Sequence, residues 1–306
     1  MRGERTLKAC FFGASVTGQK NSYVDSLRRI MPEHQFAHFP FGGMHLSDAG
    51  ICLMDEFLET DAETHFLEWF STGNTYEEPT LTAYLDAICH RLVARGRKPA
   101  FLLVPRKDVN PRRVINYLSV RNYAEKYSMQ VVDVDAKAHS AGLLPEHILR
   151  DNVHTNEKGS DYYAEAIMDA LLAPAPEPSL PPPNKYISIG CTEFERIVEE
   201  SMEIDVEGEV IGMLQTVGPY SGKVVIHREG IAPWDVKVWD VWCHYQRPHF
   251  CIPIKGPGRF TVKVSQDTID KSHCKRVVED WGQFGPNRLV IHKIYHLGHC
   301  RVVDAR

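Results

Sequence analysis

The chain has 306 residues, of which 43% are hydrophobic, 25% charged and 10% aromatic, a globular composition that excludes disorder, collagen and long coiled coil. Thirty-five Lys and Arg against 40 Asp and Glu leave a formal charge of −5, so no global field recommends nucleic acid or an anionic membrane as a partner. The length suits two domains, each large enough to bury its own core.

The chain opens on polar residues that lead straight into a strand-like segment. With no apolar signal core and no run of ~18 apolar residues, the expectation is a cytoplasmic chain without membrane insertion. Eight cysteines, none in a C-x-x-C pair, predict reduced thiols rather than a disulfide framework.

Apolar runs at residues 7–13, 35–41, 64–70, 99–105 and 129–134 have the length of buried strands. Helical patterns at 22–30, 45–58, 81–95, 111–127 and 158–172 alternate with them. The third helix stops at Gly96, a C′ glycine, and the fourth starts after Asn110 with Pro111 at its first position. Five strands with helices between them predict a parallel sheet covered on both faces.

Six prolines between residues 174 and 183 then interrupt the chain. They predict a stiff extended linker over 174–184, separating a domain at 1–173 from one at 185–306. Beyond it, β-branched and aromatic runs at 186–189, 202–206, 210–216, 223–227, 236–245, 260–264 and 289–295 alternate with Gly and Pro turns. They predict an antiparallel, all-β sandwich or barrel.

The first strand ends in Gly13-Ala14-Ser15-Val16-Thr17-Gly18-Gln19. A serine here sits past the carboxyl end of a parallel strand, where open α/β sheets bind ligands. Two familiar motifs fail at this position. A P-loop requires Lys directly after the second glycine, whereas Gln19 intervenes and Asn21 replaces the metal-binding hydroxyl. A G-x-S-x-G elbow requires glycine where Thr17 stands. Asp151-Asn152-Val153-His154, just before the last helix, supplies a distant partner. An Asp three residues ahead of a His can hold the imidazole through Nδ1 and leave Nε2 free to take a serine's proton.

These residues resemble the SGNH, or GDSL-type, hydrolases over positions 7–172. The resemblance implies a flavodoxin-like three-layer α/β/α fold and an esterase or lipase activity. It maps the nucleophile to Ser15, with Ala14 in place of the family's aspartate, and the Asp and His of the D-x-x-H block to Asp151 and His154. It implies an oxyanion hole made by the amides of Ser15 and Gly43 and by the side chain of Asn74. The glycine that precedes the family's asparagine by two positions is absent here, which leaves Ser71 and Thr72 as alternative donors. Acyl transfer without metal or cofactor follows, with a small-molecule or glycan ester as substrate. Water as acceptor makes an esterase and a sugar hydroxyl makes an O-acyltransferase. Ala14 and the irregular asparagine block motivate a third reading, a degenerate hydrolase that only binds glycans.

Arg106-Lys107 at the end of the fourth strand, with Arg112-Arg113 beside it, form either an anionic-substrate contact or a solvated basic face. His45 either lines the pocket or is structural. After the linker, Trp234 precedes and Trp239, Trp242 and Tyr245 lie on the predicted strand at 236–245, their rings either stacked on sugars or buried in the sandwich core. Cys243-His244, His249-x-Cys251, His273-Cys274 and His299-Cys300 are incomplete as metal motifs. His292-x₃-His296 alone has ligand spacing, so no metal is expected.

Overall fold

The computed structural model describes residues 6–306 apart from Met44, Ser47, Asp48, Asn74, Pro253, Lys255, Thr268 and Val277. Its elements follow the sequence β1 (Lys8–Gly13), α1 (Ser15–Gly18), α2 (Tyr23–Ile30), β2 (Gln35–Pro40), α3 (Ala49–Cys52), α4 (Asp55–Glu59), β3 (Thr64–Glu68) and α5 (Glu78–Val93). Then come β4 (Lys98–Leu103), α6 (Ile115–Lys126), β5 (Gln130–Asp133), α7 (Val134–Ser140), α8 (Pro145–Ile148) and α9 (Glu157–Leu172). The strands pair in parallel in the order β2-β1-β3-β4-β5. This is the flavodoxin-like order, whose winding reverses between β1 and β3 and opens a crevice at their carboxyl ends.

Successive residues of β1 point to opposite faces, and each face is aromatic. Phe11 stacks on Phe66 at 4.8 Å within a core that includes Tyr23, Leu27, Tyr163 and Ile167 of α2 and α9. Phe12 packs on Phe57 at 4.8 Å and against Trp69 at 4.9 Å. Ser22 and Asp25 form a capping box at the start of α2, and the Asn156 side chain accepts from Gly159 N at 2.8 Å at the start of α9.

The single helix expected over residues 45–58 is two short ones, α3 and α4. The chain turns at Met54, which is buried with Phe57, so core burial outweighs helical continuity. The predicted helix at 111–127 likewise begins as a 3₁₀ turn, Pro111–Arg113, before α6.

The chain divides into two units, Met1–Ile187 and Ser188–Arg306. The proline segment is extended but not free, and it lies within the first unit. Ser179 N donates to Tyr127 O at 2.8 Å and Asn184 Nδ2 to Ala83 O at 2.7 Å. A ring nitrogen of His90 hydrogen-bonds Pro181 O at 2.8 Å, and Tyr186 packs on Tyr84 at 5.2 Å.

The second unit holds β6 (Gly190–Val198), β7 (Ser201–Val206), β8 (Glu209–Val217), β9 (Lys223–Arg228), β10 (Ile231–Lys237), β11 (Arg247–Cys251), β12 (Gly258–Val264), β13 (Leu289–Leu297) and β14 (Cys300–Ala305). They form two antiparallel sheets, β10-β9-β12-β7-β14 and β11-β8-β13-β6. Met202, Ile204 and Phe260 of one sheet meet Met213, Ile291 and Ile294 of the other in a shared core, which makes a sandwich.

Two predicted strands differ. Residues 185–188 form a 3₁₀ turn. The strand expected over 236–245 ends at Lys237, because Asp240 then builds a turn, its carboxylate accepting from Trp242 N at 2.9 Å. Trp239, Trp242 and Tyr245 therefore lie outside a strand. Among the described residues no helix is long and apolar enough to cross a membrane.

Candidate active site

Ser15 opens α1 directly beyond β1, at the crevice where the sheet's winding reverses. Gly13 is required by close approach. A Cβ there would lie 2.5 Å from Thr17 Oγ1 and 2.6 Å from Glu68 O, both far inside contact distance. Phe41 N donates to Gly13 O at 2.9 Å, which ties the loop after β2 to the Ser15 turn.

Asp151 and His154 sit on a short loop closed by an antiparallel bridge between Leu149 and Thr155. One Asp151 oxygen accepts from Val153 N at 3.1 Å and His154 N at 2.9 Å, so the aspartate builds its own turn. Both carboxylate oxygens also lie 3.0 Å from His154 Nδ1, while His154 Nε2 lies 2.9 Å from Ser15 Oγ. Burial alone would raise the Asp151 carboxyl. The two amides and the imidazole outweigh it and hold the group below the usual carboxylate range. Lys107 N donates to Asn152 O at 3.0 Å, and Gln19 Nε2 donates to Thr155 Oγ1 at 2.5 Å. These bonds join the loop after β4, the His154 loop and the Ser15 turn.

A residue the sequence reading did not single out lies under this turn. Glu68, the last residue of β3, is 0% exposed. Its Oε2 accepts from Ala14 N at 3.3 Å and Thr17 Oγ1 at 3.0 Å, and its Oε1 accepts from Ser71 N at 3.3 Å. The Ser71 hydroxyl also bonds it. Burial pushes the carboxyl up to about 7, against the pull of those donors. Ala14 is itself buried, so an aspartate at that position would add a second carboxylate beside Glu68. The departure from G-D-S is consistent with that neighbour.

The loop after β3 is fixed by other residues too. Arg106 forms a two-pronged pair with Asp108, at 2.8 and 2.6 Å, and donates to Ser71 O. Its guanidinium lies over Gly73, where a Cβ would come within 2.8 Å of it. Arg106 is thus a brace rather than part of a solvated basic face. Thr72 Oγ1 donates to Trp69 O at 2.9 Å, so both hydroxyls weighed as oxyanion donors, Ser71 and Thr72, are engaged locally. Asn74 lies outside the described residues.

Of the glycine pair after β2, Gly42 approaches Ser15, its Cβ position falling 3.8 Å from Ser15 Cβ. Gly43 follows with φ +74°, left-handed backbone that favours glycine. His45 lies in the loop beyond, its carbonyl accepting from Gly50 N at 3.1 Å.

In the second unit His292 bridges Glu195 Oε2 at 2.9 Å and Thr216 Oγ1 at 2.7 Å. His296 bridges Thr192 Oγ1 and Gly298 O, each at 3.1 Å. Among the described residues no group of three or more His, Cys, Asp and Glu could hold a metal ion. Trp234 packs edge-on against core Phe260, whereas Trp242 and Tyr245 are 45% and 48% exposed. The aromatics are therefore divided between core and surface.

The molecule joins a three-layer α/β unit, with a Ser–His–Asp hydrogen-bond chain at its switch point, to a β-sandwich. It has the fold of CEX, a two-domain esterase active on acetylated mannans, at TM-score 0.67 and 13% identity over 98% of this chain and 92% of that one. The same esterase co-crystallized with mannopentaose matches at TM-score 0.68 and 12% identity, over 96% and 92%. At these identities the likeness is one of fold. No family model matches the chain, and no curated protein matches it.

Proposed function

We propose that the chain is a serine-dependent esterase that removes acyl groups, acetyl foremost, from a carbohydrate. The observation that carries this reading is the aligned chain from Ser15 Oγ through His154 to Asp151, at 2.9 and 3.0 Å. Ser15 Oγ attacks the ester carbonyl while His154 Nε2 takes its proton. The resulting oxyanion is held by the amides of Ser15 and Gly43 and by Asn74. Collapse breaks the bond to the alkoxide, which leaves with the proton from His154. Water, deprotonated by the same imidazole, then attacks the acyl-serine and releases the carboxylic acid.

Transfer to a sugar hydroxyl would use the same residues. The half-exposed Asp151 side chain leaves the site open to water and favours hydrolysis. A glycan substrate is supported by the shared fold with an esterase active on acetylated mannans and by the surface of the sandwich. Trp242, His244 and Tyr245 line a shallow cleft there with Lys275 and Arg276, and exposed aromatic rings of this kind stack on sugar faces.

The test is turnover of p-nitrophenyl acetate and labelling by a fluorophosphonate, with Ser15→Ala as control. Wild type should turn over and label at Ser15, and the variant should lose at least about 10⁴-fold in kcat. Absence of both in wild type would favour the non-catalytic reading. Trp242→Ala should raise KM for an acetylated oligosaccharide and leave p-nitrophenyl acetate unaffected.

A further inference from the structure

We propose that Glu68 is a positioning residue for this reaction. Its buried carboxylate, as the anion, clamps the Ser15 turn and the loop after β3 into one frame, and loss of the negative charge releases that frame. The inference rests on the esterase reading and adds to it a second acid that never touches substrate.

The contacts are arranged for an acceptor. Ala14 N and Thr17 Oγ1, on either side of Ser15, meet one oxygen, and Ser71 N meets the other. Ser71 is the residue Arg106 braces, and Gly73 under that guanidinium precedes Asn74. One carboxylate thus spans the nucleophile and the loop that bears the proposed third oxyanion donor.

Protonation disrupts this. A neutral carboxyl carries one O–H, and the two amides can only donate. A proton on Oε1 makes it a weaker acceptor for Ser71 N–H, and one on Oε2 a weaker acceptor for Ala14 N–H. The Thr17 hydroxyl can turn round and accept, because its oxygen also lies 2.8 Å from Tyr23 OH, and the Ser71 hydroxyl can reverse likewise, but neither amide can. The titratable groups facing Glu68 are Tyr23 of α2 and Tyr163 of α9, both buried phenols pushed well above their ordinary range. Among the described residues no cation pairs with the carboxylate. A purely structural site would be served as well by a neutral side chain, whereas here every donor stabilises the charged form. That form is available near neutrality, since the group titrates at about 7.

The experiment measures kcat and KM for p-nitrophenyl acetate over about pH 5 to 9 in the full-length chain. Glu68→Gln should lose about 10²-fold in kcat, the scale of a small misplacement of reacting groups, with KM within about twofold. Its acid limb should follow one proton where wild type follows two. Thr17→Val removes a donor to the anion, so its acid midpoint should move upward, and Thr17→Ser should restore it. If Glu68→Gln does not fold, the Thr17 pair decides alone. A Glu68→Gln kcat and acid limb equal to wild type, or an unmoved midpoint in Thr17→Val, overturns the inference while Ser15 still labels. A wild type that neither labels nor turns over overturns the esterase reading, and the inference with it.

Discussion

Replacing Glu68 by Gln should flatten the pH dependence of stability, and the structure sets the size of the effect. The carboxyl titrates at 4.5 ordinarily and at about 7 in the fold, a difference worth about 3 kcal/mol at about 1.4 kcal/mol per pH unit. Below the ordinary value both states are protonated and the group contributes nothing to the pH dependence. As pH rises from 4.5 to about 7 the unfolded chain releases this proton and the folded chain retains it, so folding stability falls with pH. Above about 7 both are ionised and the loss levels off. The wild type should therefore lose about 3 kcal/mol across this window relative to the variant, whatever other groups contribute to both. Urea unfolding of the full chain at a series of pH values measures it, with hydrogen-exchange mass spectrometry of the β1 and β3 peptides to score the α/β unit by itself. Curves that run parallel to within about 1 kcal/mol would refute the reasoning, because the buried carboxyl would then not be perturbed as its environment requires.

Asp151→Asn leaves the loop's shape but removes the charge that holds His154, and should lower kcat by about 10⁴-fold in the p-nitrophenyl acetate assay. Gly13→Ala places a methyl 2.5 Å from Thr17 Oγ1 and 2.6 Å from Glu68 O, and should cost about 1–3 kcal/mol in unfolding measurements and abolish fluorophosphonate labelling. The thiols of Cys243 and Cys274 stand 3.4 Å apart, so a thiol oxidant such as diamide should join them with loss of two hydrogens by intact mass. Cys243→Ser should lose that product.

The five parallel strands are legible in the sequence because each is an apolar run bounded by turn residues, and their observed ends fall close to those runs. The Asp151–His154 contact is legible because D-x-x-H is a local device that closes within its own loop. Its meeting with Ser15 follows from the strand order. Glu68 is not legible. A carboxylate at the end of a buried strand is accepted only because donors from residues 14, 17 and 71 converge on it, and those partners are set by the register of β1 against β3. The signal is faint: one acid in the otherwise apolar Phe66-Leu67-Glu68-Trp69. In the sandwich, β6 escapes notice because most of its residues face outward, so no apolar alternation marks it. The tryptophan segment misleads for the opposite reason. Its β-forming composition is overridden by the turn at Asp240.

The proline segment determines where the molecule can be cut. Because residues 174–187 bond to Ala83, His90 and Tyr127 and pack on Tyr84, a chain severed after Ala173 would strip part of the covering from α5 and the end of α6. The bared aromatic rings would seek cover in another molecule. Severed after Ile187, the α/β unit keeps its strap. The seam for excising or grafting either half therefore lies a few residues past Pro183, beyond the last proline rather than before the first.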